Sequence, residues 1–195
     1  GFKLLIKPSV FHPKYFFSSK YLFDFVSKLV LANKKFLEIG SGSGLISLLA
    51  HKKNAIVTCC DVNEKAIECT KINFLQNHDE NKSQTTIYES DLFDLIPKQT
   101  FDTIIINPPY FFQPVKTPSQ FAWNCGENGE YFNKLFSQLH DYIHSETIVF
   151  MVLADNCEIE RIKQLGSSLG FGFELIESKK IKWEVNYMFK IKRYL

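Results

Sequence analysis

An α/β fold built on an open sheet is predicted for this chain by two stretches. The first is Thr103-Ile104-Ile105-Ile106 followed at once by Asn107-Pro108-Pro109-Tyr110. A β-branched run of that length reads as a fully buried strand, and two successive prolines cannot continue a sheet ladder, so the strand stops there. The second is Lys35 to Ile39, which runs into Gly40-Ser41-Gly42-Ser43-Gly44 and then the apolar Leu45 to Ala50. That is a strand, a glycine-rich turn and a helix in succession. Ligands of open α/β sheets bind in the crevice beyond the C-terminal ends of the strands. Both stretches put polar groups at such an end.

Size and composition set bounds. A chain of 195 residues holds one domain with a sizeable core. With 45% apolar and 23% charged residues it is ordinary for a globular protein, which argues against disorder. Apolar runs such as Thr147 to Ala154 fall short of the ~20 residues of a membrane helix. Gly1 to Val10, with two lysines and a proline, does not read as a signal peptide. These features predict a soluble, cytoplasmic protein with no membrane partner. The five cysteines, odd in number and without a Cys-x-x-Cys spacing, read as reduced thiols. Net charge is +2, but residues 1 to 35 hold seven Lys against one Asp and residues 178 to 195 hold six Lys or Arg against one Glu. Basic ends around an acidic middle suit an anionic partner such as RNA or a ribosome, or plain solvated lysine faces.

The elements follow in order. Phe11, Tyr15, Phe16 and Phe17 form an aromatic cluster before Ser18-Ser19, which can cap a helix through Lys20 to Leu29. Residues 1 to 35 thus read as a lid segment and a covering helix, its aromatics closing over a ligand or packing in the core. The glycine turn lets a backbone approach a nucleoside ligand closely. Leu45 stands where a dinucleotide fingerprint wants its third glycine, which argues against a nicotinamide-dependent oxidoreductase. A second strand, Ala55 to Cys60, ends at Asp61, a carboxylate able to accept two ribose hydroxyls or to cap the helix that follows. The helix Ala66 to Asn77, the strand Thr85 to Tyr88 and the turn Ser90-Asp91-Leu92-Phe93 come next. The loop Phe111 to Glu127 is long, and such loops in compact domains are usually functional. Helix Glu130 to Ile143, strand Thr147 to Leu153, helix Glu158 to Leu169 ended by Gly170, and a hairpin of Phe171 to Glu177 with Lys182 to Arg193 complete the chain.

Glu38-x-Gly40-x-Gly42-x-Gly44 resembles motif I of class I S-adenosylmethionine-dependent methyltransferases, and the resemblance covers nearly the whole chain from Phe36 onward. Asn107-Pro108-Pro109-Tyr110 resembles the subgroup that methylates nitrogen conjugated to a planar system: glutamine amides of release factors and ribosomal proteins, adenine N6, or guanine N2. Trp123-x-x-Gly126-x-x-Gly129 is similar to the short release-factor glutamine methyltransferases. One departure is that Pro13 is followed by Lys14, Tyr15, Phe16 and Phe17, where that branch carries acidic residues.

The resemblance implies a Rossmann-like, seven-stranded, mostly parallel sheet with an antiparallel last strand and helices on both faces, filling residues 36 to 195. It implies S-adenosyl-L-methionine as cofactor, held by Glu38, Gly40, Gly42, Gly44, Asp61, Asp91 and Asn107. It implies Asn107, Pro108 and Tyr110 as the catalytic set. An amide or arylamine nitrogen is a poor nucleophile because its lone pair is delocalised; two acceptors gripping its hydrogens aim that lone pair at the methyl. The expected partner is a translation factor or ribosomal protein, with nucleic acid as the alternative.

Other constellations are weaker. His140 and His144, at i and i+4 on the expected helix, match a zinc spacing but lack a third ligand, so no metal is expected. Methylation at cytosine C5 needs a cysteine beside Asn107 to Tyr110, and none lies nearer than Cys125. A cofactor-binding module without catalysis is the remaining reading.

Overall fold

The computed structural model describes residues 1–13, 17–77 and 84–194. Seven strands form one sheet: β1 (Lys35–Ile39), β2 (Ile56–Asp61), β3 (Thr85–Glu89), β4 (Thr103–Ile106), β5 (Ile148–Ala154), β6 (Phe171–Ile181) and β7 (Glu184–Arg193). Their order across the sheet is β3-β2-β1-β4-β5-β7-β6. β1 to β5 pair in parallel, and β7 enters antiparallel between β5 and β6. The expected sheet, with its reversed last strand, is the one observed.

All four residues of β4 are buried, as their β-branched run demands, because a central parallel strand is covered on both faces. Alternation sorts its side chains. Ile104 and Ile106 join Leu37, Ile39, Met151 and the helices α4 (Glu130–Leu139) and α5 (Ile159–Ser168) in one core. Ile105 joins Phe36, Phe150 and the helices α1 (Phe17–Ser27) and α2 (Leu45–Lys52) in another. Reversal of the strand order falls between β1 and β4. That switch point is where an open sheet binds its ligand, and the glycine turn and Asn107 to Tyr110 follow those two strands.

Several boundaries differ from expectation. Ser18 and Ser19 lie buried within α1, whose described residues run from Phe17, and do not cap it. The expected helix to Ile143 stops at Leu139 and tightens into a 3-10 turn, His140–Tyr142. β6 runs on to Ile181, with a register irregularity between Leu175 and Glu177. Lys14, Tyr15 and Phe16 of the expected lid lie outside the described residues.

The helix α3 (Glu64–Gln76) carries an unforeseen passenger. Asn77 exchanges two hydrogen bonds with the backbone of Lys3, and Asn73 exchanges two with that of Leu5. Lys7 pairs with Glu68, and Asn63 donates to the Ser9 carbonyl at 3.1 Å. The first ten residues therefore form a strap laid along α3. It leads to Val10 and Phe11 at the mouth of the switch point.

Candidate active site

The glycine turn is shaped by its own backbone. Gly40 and Ser41 both donate to the Cys60 carbonyl at 2.9 Å, locking the turn to the end of β2. Gly40, Gly42 and Gly44 have φ of 77°, 53° and 77°, the left-handed region that side chains disfavour. Their surroundings differ. A Cβ on Gly42 meets nothing within 4 Å, so that face is open, whereas a Cβ on Gly44 would lie 2.9 Å from Thr70 Cγ2. Gly44 lets α2 start against α3 and does not itself line the cavity.

Two carboxylates stand behind the turn. Asp61 accepts the Gly42 N–H at 2.8 Å and the Asn63 N–H at 2.9 Å, one on each oxygen. Asn63, whose side chain accepts the Lys65 N–H at 3.0 Å, caps α3 instead of Asp61. Burial pushes the Asp61 carboxyl up, against the hydrogen bonds that hold it charged. Glu38, at the end of β1, accepts the backbone N–H of Ser47 at 2.8 Å and the Ser47 hydroxyl, both on Oε2. Burial pushes Glu38 up to about 8, only partly opposed by Ser47, and the Asp61 charge adds to the rise. Its Oε1 has no partner among the described residues and Glu38 faces the cavity. A buried and a half-buried carboxyl group at an open glycine face fit a cationic, hydroxyl-bearing ligand.

Asp91 follows β3 and reaches the cavity wall already paired. Its carboxylate is taken by Lys134 of α4, with Nζ 2.5 Å from Asp91 and 2.6 Å from Asp94. Gln138 also donates to Asp94 at 2.7 Å. Asp91 remains on the cavity wall, but a ligand edge there meets a carboxylate already paired.

Beyond β4 the backbone leaves the sheet at Asn107. Neither the Asn107 side chain nor the Pro108 carbonyl is engaged by another group among the described residues, and both residues line the cavity. Tyr110 is half-buried, meets Phe111 edge-on at 5.0 Å, and has its hydroxyl pushed up to about 12 by burial and by the charges of Glu184, Cys157 and Asp155. The loop from Phe111 folds into a flap. Phe111 donates to the Trp123 carbonyl at 2.9 Å and accepts from the Cys125 N–H at 2.8 Å, closing a ring that holds a 3-10 turn, Pro118–Ala122. Trp123 packs on Phe11 at 5.1 Å, so strap and flap meet over the cavity.

The enclosed volume is about 530 Å³. Glu38, Gly40, Gly42, Asp61, Asp91, Asn107, Pro108 and Tyr110 all face it; Gly44 alone of the expected residues does not. Ser18, Ser19, Cys125, Tyr131 and Lys134 also line it. Sequence pattern alone missed their place there, since Ser18 and Ser19 read as caps and α4 carries no local motif. Burial pushes Cys125 up to about 12, far from a reactive thiolate. His140 and His144 do not converge: His140 Nε2 lies 3.0 Å from the Leu169 carbonyl, and His144 Nε2 lies 3.6 Å from Asp102. No group of three metal-ligating side chains occurs among the described residues, and no helix among them is long and apolar enough to cross a membrane.

Comparison with known proteins is consistent with this geometry. A Methanocaldococcus jannaschii protein named as a candidate protein N5-glutamine methyltransferase is 29% identical over 191 residues, spanning 94% of this chain and 92% of its own. The tRNA1(Val) (adenine(37)-N6)-methyltransferase of Vibrio campbellii is 28% identical over 65% of this chain, which spans about half of that protein (46%). In three dimensions, an E. cuniculi complex responsible for the methylation of the eRF1 translation termination factor superposes with a TM-score of 0.68 at 18% identity, covering 95% of this chain and 99% of its own, a likeness of fold. The profile of the Methyltransferase small domain matches residues 2–162, so the chain belongs to that family of methyltransferases.

Proposed function

We propose that the protein is an S-adenosylmethionine-dependent N-methyltransferase whose acceptor is a planar amide, the side chain of a glutamine in a translation factor or ribosomal protein. The observation that carries this reading is the pair of unengaged acceptors at the end of β4, the Asn107 amide oxygen and the Pro108 carbonyl. Buried polar groups ordinarily find a partner in the protein or in ordered water. Two adjacent ones left open are poised for the two hydrogens of an NH2 group. Held so, the amide nitrogen presents its lone pair at right angles to the N–H bonds, and the half-buried Tyr110 ring offers a face for the planar group. Positioning and aligned dipoles supply most of the rate, and no strong general base is needed.

The cofactor is S-adenosyl-L-methionine, which supplies an electrophilic methyl on a sulfonium centre. The open face of Gly42 admits it, Asp61 takes the ribose hydroxyls on its remaining lone pairs and favours its positive charge, and Glu38 faces it from the end of β1. Asp91 holds the adenine end through its turn, with its carboxylate shared with Lys134. Residues 36–195 form the catalytic domain, and residues 1–35 its cover. A substrate in the translation apparatus places the enzyme in the cytoplasm.

Glutamine is favoured by the Methanocaldococcus relative, whose alignment spans nearly all of both chains. The Vibrio relative keeps an exocyclic amine of RNA or DNA as the second reading. Incubating cell extract with radiolabelled S-adenosylmethionine separates them. Protease should release the label; release by nuclease instead would transfer the assignment to a base.

A further inference from the structure

The C-terminal hairpin outruns the sheet on the side of the site. β5 ends at Ala154, opposite Asn186, while the β6–β7 ladder continues through Lys180 with Val185 and Ile181 with Glu184. Its turn, Lys182-Trp183, therefore projects past the edge that carries Asn107 to Tyr110. Glu184, at the root of the turn, is close enough for its charge to act on Tyr110.

This projection is braced below and free at the tip. The Tyr21 hydroxyl donates to the Glu177 carbonyl at 3.2 Å, and Lys179 pairs with Asp24 at 3.2 Å, tying the outer arm to α1. Trp183 is nevertheless 77% exposed. It is held upright, meeting Phe17 edge-on at 5.5 Å with the Lys182 ammonium 5.5 Å from its ring. Lys180 is exposed and has no ion pair among the described residues. The basic C-terminal run is thus divided. Lys190, Lys192 and Arg193 sit towards the opposite end of β7, where Lys192 is paired with Glu174 at 2.7 Å, and only Lys179, Lys180 and Lys182 reach the site edge.

A largely exposed indole, with the Lys182 ammonium held against it and against Phe17 and with Lys180, unpaired among the described residues, close by, matches one kind of partner well. Single-stranded nucleic acid alternates stacking surfaces with phosphates, and aromatic platforms beside cations are how it is gripped without sequence preference. An acidic peptide would use the lysines and leave the indole wet. We propose that the Lys180 to Trp183 tip docks on single-stranded RNA, Trp183 stacking on a base and Lys180 and Lys182 contacting phosphates, so that the acceptor is presented by an RNA-bearing partner. The choice of RNA rests on the proposed role in translation, while the docking itself is read by binding and not by methyl transfer.

The test is fluorescence anisotropy with a labelled single-stranded RNA of mixed sequence, in a salt series. Lys180→Ala with Lys182→Ala should weaken binding at least about tenfold at low salt and flatten the salt dependence by about one and a half log units per log of salt, as loss of two phosphate contacts requires. Trp183→Ala should weaken it about fivefold or more while leaving that slope unchanged. Calorimetric titration with S-adenosylmethionine should match wild type in both variants, showing that the fold is intact. Wild-type RNA affinity in either variant, or displacement of the RNA by polyglutamate at equal charge concentration, would overturn the proposal. A protein that docks RNA through this tip yet transfers methyl to neither protein nor RNA would leave the docking standing and remove the function proposed above.

Discussion

The two halves of the cavity treat their polar groups in opposite ways. On the side proposed to hold the cofactor nearly everything is already bonded: Asp61 to Gly42 and Asn63, Glu38 to Ser47, Asp91 to Lys134. On the side proposed to hold the acceptor, the Asn107 side chain and the Pro108 carbonyl have no partner among the described residues. The contrast is chemical. A cofactor site returns to the same ligand in every cycle, so its donors and acceptors are fixed in advance at no cost during binding. An acceptor clamp has to be satisfied by the substrate alone, because a prior internal bond would compete with the nitrogen it must hold.

The largest effect expected from this contrast is at Asn107. Asn107→Ala should leave cofactor affinity in calorimetry unchanged and lower single-turnover methyl transfer by about a hundredfold or more. Wild-type-like transfer would erase the distinction between the halves. Next, Asp61→Ala should weaken cofactor binding by about tenfold to a hundredfold, the worth of charge-assisted hydrogen bonds to two hydroxyls. If affinity holds, the carboxylate serves the glycine loop and not the ligand. Gly44→Ala should cost about 1–3 kcal/mol of stability in urea unfolding, from its left-handed φ and the methyl of Thr70. Part of that loss should return on adding Thr70→Ser, and full additivity of the two changes would show that the contact is immaterial.

The smallest effect concerns pH. Glu38 moves from 4.5 to about 8 on folding, so the folded, cofactor-free protein keeps a proton that the unfolded chain has released. Its contribution is complete below about pH 4.5 and is lost as pH rises through about 8. Glu38→Gln, which mimics the protonated form, should flatten the decline of the urea midpoint across that window. A wild-type slope in the variant would show that another group carries the titration.

Much of this was written in the chain, for local reasons. A β-branched run stopped by two prolines and a strand-glycine-helix sequence are decided within about ten residues, so their place at the strand ends follows from short-range rules. What the pattern concealed depends on distant partners. Asp61 looked as fit to cap α3 as to meet a ligand, whereas Asn63 takes the cap and Asp61 bonds the Gly42 N–H, a partner 19 residues away. Asp91 meets Lys134 across 43 residues, and the Asn73 and Asn77 bonds to the strap span 68 and 74. Ser18 and Ser19 resembled caps because helix starts are read from residue type, whereas here both already lie inside the helix. The basic C-terminal run looked like one patch because sequence does not show that β7 carries its two ends to opposite edges of the sheet.

Asn73 gives the strap a meaning of its own. One fully buried amide donates both to the Leu5 carbonyl at 2.9 Å and to the Ser43 carbonyl at 2.8 Å, while accepting the Leu5 N–H at 2.6 Å. The first residues of the chain and the glycine turn therefore share one anchoring amide, so that opening either strains the bonds that hold the other. In hydrogen exchange, the Leu5 amide should slow in step with the glycine turn as cofactor fills the cavity, although it lies on a different element, making the strap a remote reporter of occupancy.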